Sequence, residues 1–296
     1  MFLNSALILC WLGVLVLTCR AWSRLQETTL TTACAWGMGA ACVGLIAAVT
    51  HASVSSDRTG WSDLAWYATA VTLLCPGVAV LGARRPGAAA WGFFVLLPLL
   101  AVMAWPAATA SRVISDGVPL EFETPAIAGF GVVLIMAFGN WIGTRFTLPA
   151  FLYAVSILLL VVPMSSLDMP ALPDRPVSQL LSALLVFAAA GIGSGRASGT
   201  FPHADAFNSL WFDFVDTFGM VWAKRVMDRL NQSAAHEKWS ATLDWHGFVW
   251  QTDCSEDDIR RTRERIEHTL RWLLKRFVEP SWIDRRLESH DDTDDE

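Results

Sequence analysis

Long apolar runs alternate with short polar breaks over the first two thirds of the chain. A helix needs about 20 apolar residues to cross the roughly 30 Å hydrocarbon core of a bilayer. Seven runs come near that length, and none has a charged residue near its middle. They predict seven transmembrane helices, at Phe2–Cys19, Leu30–Val49, Trp61–Gly82, Gly87–Ala110, Pro125–Gly143, Leu148–Pro163 and Val177–Gly193.

The arginines between these runs predict the orientation of the chain. Basic residues near membrane ends are retained on the cytoplasmic side. Six follow the odd-numbered runs: Arg20, Arg24, Arg84, Arg85, Arg145 and Arg196. Only Arg58, Arg112 and Arg175 lie in the opposite segments, each near an acid. We therefore expect an N-out, C-in bundle in a bacterial inner membrane. If the short sixth run pairs with the fifth as a re-entrant hairpin, the count falls to five and the orientation is unchanged.

The pattern changes after residue 200. From Asp205, apolar residues recur every three or four positions, which predicts an amphipathic helix ending near Asn231. Five aromatic residues share its apolar face: Phe207, Trp211, Phe214, Phe218 and Trp222. Such a face suits the membrane interface, a protein partner, or a docking surface for the rest of the C-terminal region.

Two further elements follow this helix. Alternation over Trp239 to Gln251 predicts one short strand. Ser255 and the acids after it predict the start of a helix that runs to about Val278, with Arg260 and Arg261 on its outer face. Pro280 ends this helix, and Trp282 to Leu287 is compatible with one more turn. The acidic run 291–296 is expected to be a solvated tail.

Charge separates the same two parts. Residues 1–200 hold 17 charged residues, whereas the remaining 96 hold 33, with 13 basic and 20 acidic. The fold class is therefore an all-α integral membrane protein with a small, mostly helical cytoplasmic region. We divide it into a bundle (1–199), a cytoplasmic region (200–290) and the acidic tail (291–296). An ordinary soluble enzyme is unlike this composition.

Catalytic and cofactor chemistry is not indicated by the residue pattern. Ionisable groups at membrane depth usually mark transport, proton-relay or cofactor sites, and no charged residue lies near the middle of any span. His236, His246, Cys254 and His268 are spaced unlike compact zinc sites. The acidic balance of the C-terminal region disfavours nucleic acid as a partner. The sequence thus predicts no catalytic, cofactor or metal site, and it names the bilayer and a cytoplasmic protein as partners.

Three functions remain open. The first is a membrane scaffold or accessory subunit that offers its aromatic face and Arg260 and Arg261 to a partner. The second is a carrier or flippase for an apolar or zwitterionic molecule, with a cavity lined by Tyr67, Thr72, Cys75, Pro76, Trp91 and Pro98. The third is a lipid enzyme at the cytoplasmic interface, which would recruit residues among His203, Asp205, Asp213, Asp216 and His246. The first accounts best for the pattern.

Overall fold

Six long apolar helices form most of the described N-terminal part. The computed structural model describes residues 2–53, 59–109, 113, 120–121, 123–166, 173–196, 205–252 and 255–288. Within them, six helices are long and apolar enough to cross a membrane by length and composition. They are α1 (Phe2–Leu25), α2 (Thr31–Ser53), α3 (Thr59–Leu81), α6 (Thr124–Phe138), α7 (Thr147–Val161) and α8 (Arg175–Arg196).

The fourth predicted span is an interrupted helix. It consists of α4 (Ala88–Trp91), a π-helical turn over Gly92–Leu96, and α5 (Leu97–Met103), followed by a 3-10 turn over Trp105–Thr109. In the π turn the Leu97 N–H donates to the Gly92 carbonyl. Pro98 comes next and has no N–H of its own, so the regular helical pairing is broken at this position.

Short 3-10 turns extend two of the long helices. Gly139–Trp141 follows α6, and Val162–Met164 follows α7. With these turns, the fifth and sixth predicted spans each reach 18 apolar residues. The sixth is therefore longer than its sequence run suggested.

The bundle packs through close contacts around a buried core. Trp11, Trp66 and Phe130 are fully buried there. A Cβ on Gly44 of α2 would lie 2.5 Å from the Trp11 ring, so α1 and α2 approach closely only because this position is glycine. Many large apolar side chains point outward instead, as a lipid-facing surface requires. They include Leu9, Ile46, Phe94, Val132, Ile135 and Phe151.

One buried polar cluster joins α3 and α8 at one end of the bundle. The Asp63 carboxylate accepts a hydrogen bond from the Leu120 N–H at 3.2 Å and pairs with Arg175 Nη1 at 2.7 Å. Arg175 Nε also donates to the Pro163 carbonyl at 3.1 Å. The start of α3, the end of α7 and the start of α8 therefore meet here, and we call this the far end.

The C-terminal region packs against the other end, which we call the docking end. It contains α9 (Ala206–Phe218), α10 (Met220–Glu237), a β-hairpin of β1 (Ala241–Asp244) and β2 (Gly247–Trp250), α11 (Glu256–Leu274) and α12 (Pro280–Glu288). The predicted N-cap of α11 is confirmed, since the Asp258 N–H donates to Ser255 Oγ at 3.2 Å. The acidic run 291–296 lies outside the described residues.

Three details of the C-terminal prediction were wrong. The single helix from Asp205 to Asn231 is two helices, because Gly219 adopts φ +79° and ends α9. The single strand is an antiparallel pair in which Ala241 faces Trp250 and Asp244 faces Gly247. The added turn near Trp282 is the nine-residue helix α12.

Two asparagines attach the hairpin to the helices. Asn231 of α10 bonds both backbone groups of Leu243, each at 2.8 Å. Asn208 of α9 accepts from the Phe248 N–H at 2.7 Å. A two-stranded hairpin is marginal alone, so these bonds and the packing of its buried face stabilise it.

Candidate functional site

The aromatic face of α9 and the first turn of α10 is buried within the chain. Trp211, Phe214, Phe218 and Trp222 are at most 5% exposed, and Phe207 is half-buried. Their side chains pack on the rest of the C-terminal region and on the bundle, one of the alternatives that the sequence left open. A partner would reach them only if this packing opened, so their role in partner binding stays a prediction.

Phe277 lies at the centre of this aromatic cluster. Its ring centroid is 5.4 Å from Phe214, 5.3 Å from Phe218 and 5.0 Å from Trp222, each in an edge-to-face arrangement. The Trp222 indole N–H also donates to the Val80 carbonyl of α3 at 3.0 Å. Apolar packing therefore runs without a gap from the C-terminal region into the bundle, and one hydrophobic cluster contains residues of both.

Asn140 joins the bundle to the break between α9 and α10. Its Nδ2 donates to the Phe218 carbonyl at 3.0 Å, and its Oδ1 accepts from the Val221 N–H at 2.9 Å. These two groups flank Gly219, where a Cβ would lie 2.2 Å from Asn140 Nδ2. The buried Asn140 side chain therefore joins the bundle to the C-terminal region through two hydrogen bonds, which we call the Asn140 clamp.

Arg145 forms a second, ionic attachment. Its guanidinium pairs with Asp216 at 2.7 Å and with Asp213 at 3.0 Å, and its backbone N–H donates to Asp216 at 3.1 Å. Arg286 of α12 completes the group through Asp213 at 2.7 Å. Burial raises the pKa of Asp216 above its usual value, and the charge of Arg145 opposes that rise. Burial likewise lowers the pKa of Arg286, against the attraction of Asp213.

Backbone pairing provides a third attachment, to the α1–α2 loop. Thr28 and Val278 form an antiparallel bridge, the Thr29 N–H donates to Phe277, and the Glu279 N–H donates to Glu27, both at 2.8 Å. The Glu27 carboxylate also pairs with Arg285 of α12. The hydrogen bonds from Arg285 hold the pKa of Glu27 below its usual range.

The α3–α4 loop is attached in the same way. The Arg85 N–H donates to the Arg276 carbonyl at 2.8 Å, and the Arg85 side chain pairs with Glu279 at 2.5 Å. The C-terminal region therefore contacts three separate connections of the bundle, and all of them lie at the docking end.

The residues predicted to line one cavity are distributed over several environments. Tyr67 is buried and donates to the Met103 carbonyl, and Cys75 is enclosed in the core. Pro76 lines an open cavity between helices of the bundle, whereas Trp91 lines a separate groove at its side. Pro98 is exposed on α5. These five residues do not converge on a single site.

The cavity beside Pro76 has a volume of about 400 Å³ and is mainly apolar. Helices α1, α2, α3, α7 and α8 contribute its walls, among them Val14, Gly37 and Tyr153. Asp216 and Thr217 of α9 lie at its boundary with the C-terminal region. It could hold an apolar ligand, since few polar groups face it.

The remaining candidate residues are at the surface or in structural contacts. Arg260 and Arg261 are exposed on α11, and Arg260 pairs with Asp257 at 2.8 Å. Asp205 is the N-cap of α9, accepting from Asn208 at 2.8 Å. His246 is exposed in the hairpin turn.

Two residues that the sequence offered as candidate catalytic or metal-binding groups lie outside the described part of the chain. His203 and Cys254 lie among the residues that the structure does not describe. Among the described residues, no group of three or more His, Cys, Asp or Glu side chains is arranged to hold a metal ion. Asp213 and Asp216 are both engaged by arginines, as described above.

A groove lined by arginines was not predicted from the sequence. Arg84, Arg225, Arg229 and Arg276 line one groove between the α3–α4 loop, α10 and α11. In the sequence, Arg84 indicates only the orientation of the chain. The sequence shows Arg84 beside Arg85 at the end of a span, but Arg225 and Arg276 lie about 140 and 190 residues further along the chain. The grouping of these arginines is therefore not visible in any local pattern.

Comparison with known proteins adds no relative. No protein-family model, curated protein or solved structure matches this chain. Its function is therefore inferred from the geometry described above.

Proposed function

We propose that this chain is a multi-pass membrane scaffold or accessory subunit that presents its C-terminal region to a protein partner at the cytoplasmic face. The attachment of that region at the docking end carries the proposal. Apolar packing, the Asn140 clamp, the Arg145 ion pairs and the Thr28–Val278 bridge hold it in one orientation. A fixed orientation is what a docking platform needs, because a partner then loses less freedom on binding.

Seven crossings of the bundle are part of this proposal. Arg85 lies at the docking end, while Met103 contacts Tyr67 in the body of α3, and Val113 lies against Gly60 at the start of α3. The chain between Arg85 and Val113 therefore runs from the docking end to the far end. The contacts of Pro163 at the far end and Arg145 at the docking end likewise favour a full crossing by α7 over a re-entrant pair.

The arginine distribution supports a cytoplasmic docking end. Arg24, Arg84, Arg85, Arg145 and Arg196 all lie at this end, as the positive-inside rule expects of the cytoplasmic side. A fusion of the C-terminus to a fluorescent protein that matures only in the cytoplasm should fluoresce. Activity of a C-terminal alkaline phosphatase, which needs export, would contradict this orientation.

The surface offered to a partner is the outer face of α11. Arg260, Arg261 and Glu264 are exposed there, while the opposite stripe, with Ile266 and Leu270, is buried. Exposed arginines are common in interfaces because the planar guanidinium binds carboxylates through two hydrogen bonds. A partner with an acidic surface fits this face.

Site-specific photo-crosslinking in cells tests the proposal. A photoreactive amino acid at Arg261 should give a discrete adduct, whereas one at Val132, which faces lipid, should give none. Combining the Arg261 probe with Asn140→Ala should reduce the yield, because the region then loses its fixed orientation. A protein that purifies from native membranes in mild detergent without any partner, and gives no adduct at Arg261, would overturn the proposal.

The apolar cavity favours a second function, a carrier for an apolar or zwitterionic molecule. Its 400 Å³ volume lies beside Pro76 inside α3, where a missing backbone hydrogen bond makes the helix easier to bend. Pro76→Ala should reduce transport in reconstituted vesicles, and Pro98→Ala, at an exposed position, serves as the matched control. Transport unaffected by Pro76→Ala would remove this bend from the mechanism.

A further inference from the structure

Two grooves at the docking end are adjacent and share part of their lining. The first, with a volume of about 960 Å³, lies between the α3–α4 loop, the end of α6 and the start of α10, and we call it the lipid-side crevice. The second, of about 1010 Å³, lies between α10 and α11, and we call it the basic groove. Arg84, Trp222 and Arg225 line both. A single elongated ligand can therefore occupy them together.

The wall of the lipid-side crevice is apolar and opens toward the membrane. Ile135, Met136 and Ile142 contribute to it and are 75%, 60% and 67% exposed. These residues belong to α6 and the turn after it, whose outer surface faces lipid if the helix crosses the bilayer. Leu81 and Val221 extend the apolar wall toward the two arginines. An acyl chain can enter this crevice from the bilayer without passing through water.

The basic groove holds an excess of positive charge. None of its four arginines, Arg84, Arg225, Arg229 and Arg276, is in an ion pair with another described residue. Its two acids are engaged elsewhere, Asp228 by Lys224 and Glu237 by Trp239 and Arg265. The groove therefore has a positive potential that an anion can neutralise.

Aromatic rings support two of these arginines. The Arg225 guanidinium lies 4.7 Å from the Trp222 ring centroid, and Arg276 lies 5.1 Å from that of Trp272. Stacking restrains a guanidinium while its edge remains able to donate hydrogen bonds. This lowers the entropy lost when the arginine binds a phosphate.

We propose that this composite groove binds an anionic phospholipid of the adjacent leaflet. Arg84 and Arg225, which line both grooves, bind the phosphate, one acyl chain follows the lipid-side crevice, and the polar headgroup extends into the basic groove. An apolar, membrane-facing wall beside a cluster of arginines is the juxtaposition that such a lipid requires. A soluble phosphate compound would use the arginines but leave the crevice empty.

Titration of the purified full-length protein with short-chain lipids, followed by native mass spectrometry, tests this site. Dioctanoyl phosphatidylglycerol should bind more tightly than dioctanoyl phosphatidylcholine. An interfacial arginine contributes about fivefold to the binding of anionic lipid, so Arg84→Gln with Arg225→Gln should weaken phosphatidylglycerol binding by about 25-fold. Arg20→Gln with Arg263→Gln removes the same charge at exposed positions outside the groove and should change little.

A second variant separates lipid from soluble phosphate. Val221→Phe fills the crevice and should weaken binding of phosphatidylglycerol, while leaving binding of soluble glycerol phosphate unchanged. Equal binding of the two lipids to the wild type, or equal losses in the two double-arginine variants, would overturn the proposal. So would full competition by glycerol phosphate together with no effect of Val221→Phe, which would assign the groove to a soluble anion. Thermal unfolding of each variant confirms that it is folded.

Discussion

The bundle and the C-terminal region bury their apolar side chains in opposite ways. The bundle exposes large apolar residues such as Leu9, Phe94 and Phe151, and small residues such as Gly44 let its helices approach the rings that it does bury, such as Trp11. The C-terminal region instead concentrates its aromatic rings around Phe277 and covers them with charged side chains. In lipid, close backbone approach stabilises packing, whereas in water the burial of large rings does so.

The boundary between the two regions combines both modes. Trp222, which belongs to the aromatic cluster of the C-terminal region, donates its indole N–H to the Val80 carbonyl of the bundle helix α3. Asn140 and Arg145 pair with the Phe218 carbonyl and the Asp216 carboxylate, which are buried between the two regions and would otherwise lack a partner. The stability of each region therefore depends on its contacts with the other at the docking end.

Truncation of a ring should have very different effects in the two regions. Phe214→Ala removes a fully buried ring and should destabilise the C-terminal region by about 3 to 5 kcal/mol. Phe151→Ala removes the same side chain from a position 62% exposed in the bundle, where lipid can replace it, and should have little effect. Thermal unfolding in detergent, followed by near-ultraviolet circular dichroism, measures both. Equal losses would contradict the comparison.

Loss of the Arg145 guanidinium should destabilise the boundary almost as much. Arg145→Gln leaves Asp216, whose side chain is only 7% exposed, without its principal counter-charge, at a cost of about 3 kcal/mol. Adding Asp216→Asn should restore part of this stability, because the uncompensated charge is then removed. A double-mutant cycle on chemical unfolding measures the coupling. Additive losses would show that the pair is not coupled.

A side chain at Gly219 should separate the two regions locally. Gly219→Ala places a Cβ against Asn140 and forces alanine into a backbone conformation, φ +79° and ψ 177°, that is essentially restricted to glycine. We expect a cost of about 2 kcal/mol. Hydrogen exchange should increase at residues 139–147 and 219–225. Gly139→Ala, where the nearest side-chain atom is 4.0 Å away, should leave exchange unchanged.

Acid should produce the smallest effect, at the α1–α2 loop. The folded-state pKa of Glu27 lies below its ordinary value of 4.5, so its pair with Arg285 adds stability above that value. This stability is lost as the pH falls through the lowered folded pKa. Arg285→Gln should abolish this component of the pH dependence, measured as the difference between unfolding curves of the two proteins near pH 4. An unchanged pH dependence would show that the contact contributes nothing.

Periodicity predicted the positions of most helices but could not detect changes of direction inside a continuous pattern. Apolar residues recur every three or four positions on both sides of Gly219, so the break between α9 and α10 leaves the pattern intact. The hairpin turn at Trp245 and His246 likewise falls within one alternating stretch, and only Gly247, at φ +110°, signalled it. Both positions require glycine because of their positive φ, and also because a Cβ would contact Asn140 and Asn208 respectively.

The site was less predictable than the fold because its residues are distant in sequence. The sequence placed the five aromatic residues on the face of one helix, whereas the structure divides them between α9 and α10, and their contacts with Phe277 and Val80 depend on how the region docks. The grouping of Arg84 with Arg225 and Arg276 depends on the same docking. Local propensity contains no information about contacts between residues that are distant in sequence. The number of basic residues at a span end indicates only the side of the membrane on which that end lies.

The bridge between Thr28 and Val278 has a consequence for biosynthesis. Glu27 and Arg285 are separated by 258 positions, so at typical elongation rates the α1–α2 loop leaves the ribosome on the order of 10 to 50 s before its partner. Throughout that interval the docking end of the nascent bundle has an incomplete surface. Insertion of the helices can proceed in order, but closure of the docking end waits for the synthesis of α11 and α12.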